Sequence, residues 1–297
     1  GNTVSYTDTA AKSTDWQYTY TVKAYSGKYV SAYNYAGVDF DYIPAPTLSK
    51  AYSYENGMRI EWKSNNPNIT KYYVYRKDGT SWKYIGGTVK NKETNKINTF
   101  FIDTTAVSNT SYTYTVKAVS DTNAGAYNAT GITAKFLKAP TLQKLTFDAS
   151  YKALVKWEKV TGAVGYKVYR KIGNATSWTL IATIKNGATT YYNDACGKSS
   201  GTRYTYTVRA FDSKNLHSYF DIDGTSAVCL AKPLFTVSQT FDENDNSGIE
   251  VKWSAINGAT KYNVYRRVAG TTWEHLMDNV TETVYLDTTA EIGITYD

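Results

Sequence analysis

One ten-residue pattern recurs along this chain and limits what it can fold into. GTRYTYTVRA at residues 201–210 returns as NTSYTYTVKA at 109–118, and as the end of TDWQYTYTVKA at 14–24. Tyr, Tyr, Val and Ala alternate with Thr, Lys and Arg. That is the period of a strand with one buried and one wet face. The alternation predicts that Tyr204, Tyr206, Val208 and Ala210 point inward, with Tyr112, Tyr114, Val116 and Ala118, and Tyr18, Tyr20, Val22 and Ala24, doing the same.

Other landmarks repeat at the same interval. Trp62, Trp157 and Trp253 stand in IEWKS, VKWEK and VKWSA, 95 and 96 residues apart. YYVYRK, YKVYRK and YNVYRR follow from Tyr72, Tyr166 and Tyr262. Then come Trp82, Trp178 and Trp273 in TSWKYI, TSWTLI and TTWEHL, and Asp103, Asp194 and Asp287 closing TFFID, TYYND and TVYLD, with Asp8 in the same place. A period near one small domain, short strands bounded by turn signals and no helical periodicity predict an all-β protein of tandem seven-stranded sandwiches. In residues 138–232 the strands read TLQKLTF (A), ALVKWEK (B), GYKVYRK (C), WTLIATI (C′), TTYYND (E), RYTYTVRAF (F) and SYFDIDGTSAV (G).

The GYKVYRK strand, the Trp after it, the Y-x-D step, the GTRYTYTVRA strand and the Trp of strand B resemble bacterial fibronectin type III modules, an immunoglobulin-like fold. Such modules are appended to secreted polysaccharide-degrading enzymes and surface proteins. The resemblance covers essentially the whole chain and implies that Tyr18, Tyr112, Tyr204 and Tyr296 are tyrosine-corner residues, whose hydroxyls return to nearby backbone. It divides the chain into a partial unit at 1–43 (strands E to G), complete units at 44–137 and 138–232, and a partial unit at 233–297 (strands A to E). The chain therefore reads as a piece of a longer protein. The joints YIPAP, LKAP and LAKP are short and stiffened by proline, so an elongated, rigid array is expected.

Composition narrows the function. The net charge of +7 is uneven: −1 for residues 1–43, +6 for 44–137, +8 for 138–232 and −6 for 233–297. No dense Lys/Arg run or nucleic-acid motif accompanies the basic middle, so no nucleic-acid partner is expected and solvated strand faces account for the charge. No apolar run is long enough for a membrane span. The two histidines, His217 and His275, fall in different units without a set of metal ligands, and no nucleophile can be paired with either. No catalysis is expected.

Four groups of residues remain as candidate sites. Cys196 and Cys229 are the only cysteines; in the family's topology both fall at one pole of the 138–232 unit, which suggests a disulfide and an oxidising compartment, with two buried thiols as the alternative. The loop FDENDNSG brings together Asp242, Glu243, Asn244, Asp245 and Asn246, hard oxygen ligands suited to calcium, or alternatively an Asp/Asn/Gly turn; no other cofactor is expected. Arg76, Arg170 and Arg266 recur with Asp103, Asp194 and Asp287 as expected cross-sheet ion pairs. Trp62, Trp157 and Trp253 read as core, and Trp82, Trp178 and Trp273 as packing on a neighbouring strand. Trp16 and Tyr29 are the unit-specific aromatics that could grip a polysaccharide.

The leading expectation is a non-catalytic stalk or spacer of a secreted or cell-surface bacterial protein, whose partners are the neighbouring modules of the same polypeptide. The alternative is a carbohydrate-binding or adhesive module. Because residues 1–43 carry F and G while 233–297 lack them, head-to-tail self-association by strand complementation is a further expectation.

Overall fold

Every regular element of the described residues is a β-strand. The structure, a computed structural model, describes residues 4–11, 17–148, 150–196, 200–241 and 247–296. The first segment holds β1 (Gln17–Tyr20), β2 (Tyr25–Ser26), β3 (Tyr29–Val30) and β4 (Val38–Asp41), where β1 pairs with β4 and β2 with β3. Residues 44–137 hold β5 (Thr47–Tyr54), β6 (Gly57–Lys63), β7 (Lys71–Asp78), β8 (Ser81–Val89), β9 (Phe100–Asp103), β10 (Thr110–Val119), β11 (Ala124–Tyr127) and β12 (Ile132–Phe136). Residues 138–232 hold β13 (Thr146–Phe147), β14 (Ala153–Lys156), β15 (Gly165–Ile172), β16 (Thr179–Ile184), β17 (Tyr191–Asp194), β18 (Arg203–Phe211) and β19 (Thr225–Val228). The last segment holds β20 (Phe235–Phe241), β21 (Ser247–Trp253), β22 (Tyr262–Arg266), β23 (Glu274–Val280) and β24 (Val284–Asp287).

Both complete units are two-sheet sandwiches with antiparallel pairing. One sheet runs β5–β6–β9 in the first and β13–β14–β17 in the second; the other runs β8–β7–β10 with β11 and β12 both on the far side of β10, and β16–β15–β18–β19. These are the A-B-E and C′-C-F-G sheets expected for the fold. Strand A of the second unit is shorter than the sequence suggests, reduced to β13 and a single bridge between Leu142 and Trp157.

The cores are the inward halves of the alternations. Met58, Ile60 and Trp62 of β6 face Tyr72 and Val74 of β7 and Tyr114, Val116 and Ala118 of β10, all buried. Val155, Trp157, Tyr166, Val168, Tyr206, Val208 and Ala210 repeat the arrangement. The indole and the first tyrosine of strand C meet with ring centroids 5.2 Å apart in both units, and 5.3 Å apart for Trp253 and Tyr262. A bulge in C′ recurs as well. Val74 pairs with Gly86 while Tyr75 pairs with Tyr84, so Ile85 is the extra residue; Ile181 is its counterpart, and both pack on their cores. The bulge turns an isoleucine inward yet leaves the preceding residue, Tyr84 or Leu180, outward.

The first segment departs from expectation. No strand forms at residues 4–11, where strand E was placed; Val4 and Tyr6 are 99% and 90% exposed. In the complete units strand E pairs only with strand B, and no strand B lies beside residues 4–11 among the described residues. Tyr20 and Val22, expected inward, are 40% and 84% exposed for the same reason. Replacing Trp157 by Ala should cost about 3–5 kcal/mol of stability by denaturant titration. Tyr25→Ala, on an exposed ring, should change it by less than about 0.5 kcal/mol.

Candidate functional site

A buried tyrosine must bring its hydroxyl to a partner, and each complete unit supplies one carboxylate for the purpose. Tyr114 donates to Asp103 at 2.9 Å and Tyr206 to Asp194 at 2.8 Å. The expected arginines close the clusters: Arg76 and Arg170 reach these aspartates at 2.7 Å, and Arg266 reaches Asp287 at 2.9 Å. Thr105 adds its hydroxyl at 2.6 Å and its N–H at 3.0 Å to Asp103. Burial pushes the Asp103 carboxyl up, but the hydrogen bonds from Thr105, Tyr114 and Arg76 outweigh it and hold the group below its ordinary range. Burial and the neighbouring carboxylate push the Tyr114 and Tyr206 phenols far up. Both oxygens of Asp103 are engaged, while Arg170 and Tyr206 share one oxygen of Asp194, where Cys196 stands in place of Thr105; each cluster locks the core edge.

The corner tyrosines sit beside them. The Tyr112 hydroxyl accepts the Val107 N–H at 3.0 Å, Tyr204 donates to the Cys196 carbonyl at 2.9 Å, and Tyr296 accepts the Glu291 N–H at 3.1 Å. Tyr18 lies beside Tyr42 with ring centroids 6.4 Å apart.

Next to these anchors lie contacts between consecutive units that the sequence reading missed. Ser108 donates to the Thr161 carbonyl at 2.9 Å and accepts the Lys138 N–H at 3.0 Å. Ser200, its counterpart one repeat later, donates to the Asn257 carbonyl at 2.8 Å and accepts the Ala231 N–H at 3.0 Å. The partner loops approach so closely that a Cβ on Gly162 would strike Asn109, and one on Gly258 would strike Gly201; both glycines also have positive φ. On another side of the first of these joints, Lys135 pairs at 3.0 Å with Asp212, whose other oxygen accepts the N–H groups of Lys214 and Leu216 at 2.9 Å. Tyr54 meets Tyr219 there with centroids 4.7 Å apart. The joint before it uses Asp41: Thr122 donates to its carboxylate at 2.6 Å and Asn123 to its carbonyl at 2.9 Å. Hydrogen bonds from Ser120 and Thr122 hold the Asp41 carboxyl low. A Ser two repeats in register with a T-G or N-G step in the following unit is the signal that could have revealed this.

The expected disulfide is not formed. Cys196 and Cys229 are free thiols, Cys229 buried and Cys196 half-buried. The Cys196 thiol is directed to the Tyr151 carbonyl, 3.6 Å away, and Cys229 is packed in the core, where burial and the neighbouring Cys196 push its thiol up.

Other expectations fall elsewhere. Trp16 and the loop of Asp242, Glu243, Asn244, Asp245 and Asn246 lie outside the described residues. Among the described residues no group of three or more His, Cys, Asp or Glu could hold a metal. Tyr29 is 71% exposed on the β2–β3 hairpin. His217 is half-buried beside Lys167, at 3.4 Å, and burial and the charges of Lys167 and Arg209 hold its imidazole low; His275 pairs with Asp278 at 3.0 Å in a different unit. Trp82 and Trp178 pack over Gly131 and Gly224, just before β12 and β19, rather than on the neighbouring strand, and Trp273, expected to pack likewise, is 57% exposed. In the last segment the place taken by β10 and β18 elsewhere is an open groove of about 700 Å³, lined by Phe235, Val251, Trp253, Tyr262 and Val264. No helix is long and apolar enough to cross a membrane.

Asp103 gives a pH test. A carboxyl held low in the folded state contributes stability above its unfolded value, near 4, which is lost as pH falls through the lower folded value. Acid denaturation of residues 44–137 should therefore steepen below about pH 4. Asp103→Asn should cost roughly 1–3 kcal/mol at neutral pH and flatten that acid limb.

No family model and no curated protein matches this chain. Among solved structures, the crystal structure of chicken CNTN1 FN1-FN3 domains is similar at 17% identity over 86% of this chain and 90% of that one, with a TM-score of 0.30. The fold assignment rests on the strand order and the two-sheet cores of the complete units themselves.

Proposed function

We propose that this chain is a non-catalytic spacer array, a stalk that holds neighbouring modules of a secreted or cell-surface bacterial protein at a fixed separation. The observation that carries the reading is the recurrent joint. Ser108 and Ser200 each bond to the loop before strand C of the following unit and to the linker backbone, so the same contact is made twice in register. A flexible tether needs no such contact; a stiff one needs it at every step. The Arg–Asp–Tyr clusters fit this reading, since each ties strands C, E and F of its own unit together.

The open groove of the last segment favours a second reading, in which the β1–β4 strand pair of one copy lies in the groove of another. Exposed Tyr20 of β1, and Val22 just after it, belong to the sequence pattern that fills the equivalent space in the complete units. The carbohydrate or adhesive reading built on Trp16 and Tyr29 retains only Tyr29 among the described residues.

Small-angle scattering across a concentration series tests both. A rod-like distance distribution independent of concentration, which broadens in a Ser108→Ala/Asp212→Ala variant, is the expected result. A compact globule, or a distribution unchanged by that variant, would overturn the spacer reading; a rod that lengthens with concentration would support strand exchange between copies.

A further inference from the structure

The outer face of the sheet β8–β7–β10–β11 in residues 44–137 is paved with aromatic rings. Register fixes which side chains stand there. Tyr72 and Val74 of β7 are buried in the core, so Tyr73 and Tyr75 face outward, opposite Gly87 and Tyr84 of β8; Lys77 pairs with Trp82, and Lys117 of β10 with Tyr127 of β11. The rings form one connected row across the sheet. Tyr73 and Tyr84 have centroids 5.6 Å apart, Tyr84 and Tyr75 5.8 Å, and Tyr75 and Tyr127 6.1 Å, with Trp82 also 6.1 Å from Tyr127. Tyr84 is 55% and Tyr127 41% exposed.

Sheet cover alone does not account for them. Cross-strand aromatic pairs do stabilise sheets, but the next unit builds the same sheet with Lys167 where Tyr73 stands and Leu180 where Tyr84 stands. The cations on this face are also unspent. Lys71, Lys77 and Lys117 make no ion pair among the described residues, and no Asp or Glu occupies an outward position on these strands. The Lys77 ammonium lies 5.7 Å from the centre of the Trp82 ring.

We propose that this face binds an acidic polysaccharide, one bearing uronate or comparable carboxylate groups. A pyranose ring offers apolar C–H faces for the exposed tyrosines and hydroxyls for their phenols, and its carboxylates pair with the lysines. A neutral glycan would leave the three ammonium groups without an ionic partner. A single-stranded nucleic acid is held in a positively charged groove that tracks its backbone, whereas these rings and lysines lie on the face of a sheet. The spacer reading rests on the joints and stands or falls independently of this face.

The test is affinity electrophoresis of the full chain through gels containing polygalacturonate, alginate or hyaluronan, with xylan and single-stranded DNA as separate arms. Retardation by at least one acidic glycan, weakening with added salt, is expected. Lys77→Glu/Lys117→Glu should weaken it about tenfold or more. Tyr84→Leu, which copies the residue of the next unit, should weaken it while thermal melting stays close to that of the parent; Tyr25→Ala should leave it unchanged. Failure to bind any of the three acidic glycans, equal retardation of parent and variants, or binding confined to xylan or DNA would overturn the proposal.

Discussion

Burying tyrosine in a β-sandwich is favourable only if the phenol finds a partner inside, and much else in these units follows from how that is achieved. Tyr114 and Tyr206 lie at the centre of their cores with their hydroxyls on Asp103 and Asp194, at the end of the strand that crosses to the opposite sheet. The same aspartates hold Arg76 and Arg170, so one carboxylate ties strand C, strand E and strand F together. Such a cluster fixes the register of F against the other sheet, because sliding either strand by one residue would leave a buried phenol and a buried carboxylate unpaired.

With F fixed, the loop leading into it is fixed too, and that loop makes the joint. Tyr112 anchors the backbone at Val107, and the next residue, Ser108, bonds to the following unit. Tyr204 anchors Cys196, a few residues before Ser200, which makes the matching contact. Core order is therefore passed to the joint through a tyrosine corner and one serine. Gly162 and Gly258 permit the approach, since any side chain at either would occupy space already filled by the preceding unit.

How much of this the sequence disclosed depends on whether a feature is periodic. The alternation at 201–210 matched β18 closely, and the paired recurrence of Arg and Asp pointed to contacts that the structure makes. Alternation reports which side of a strand is apolar, not whether a partner strand is present; hence residues 4–11 stay outside any sheet and Val22 stays in water. Placing Cys196 and Cys229 at one pole said nothing about where their thiols aim, and Cys196 aims at a carbonyl. Ser108, Ser200 and Asp212 are single polar residues in loops, which look like solvated turns until the neighbouring unit is in view. The aromatic face was hidden differently: Trp82 reads as packing, and it does pack over Gly131, while Tyr73, Tyr84 and Tyr127 become one surface only when the strands are laid side by side.

The central claim is that consecutive units are held in a fixed relation by these joints. The most direct measurement is electron–electron double resonance between spin labels on exposed loops of the two complete units, at Lys92→Cys and Asn174→Cys, with Cys196→Ser and Cys229→Ala removing the native thiols. A single narrow distance distribution, broadened by Ser108→Ala/Asp212→Ala, is the predicted result. A broad distribution already present before the joint is disrupted would contradict the account.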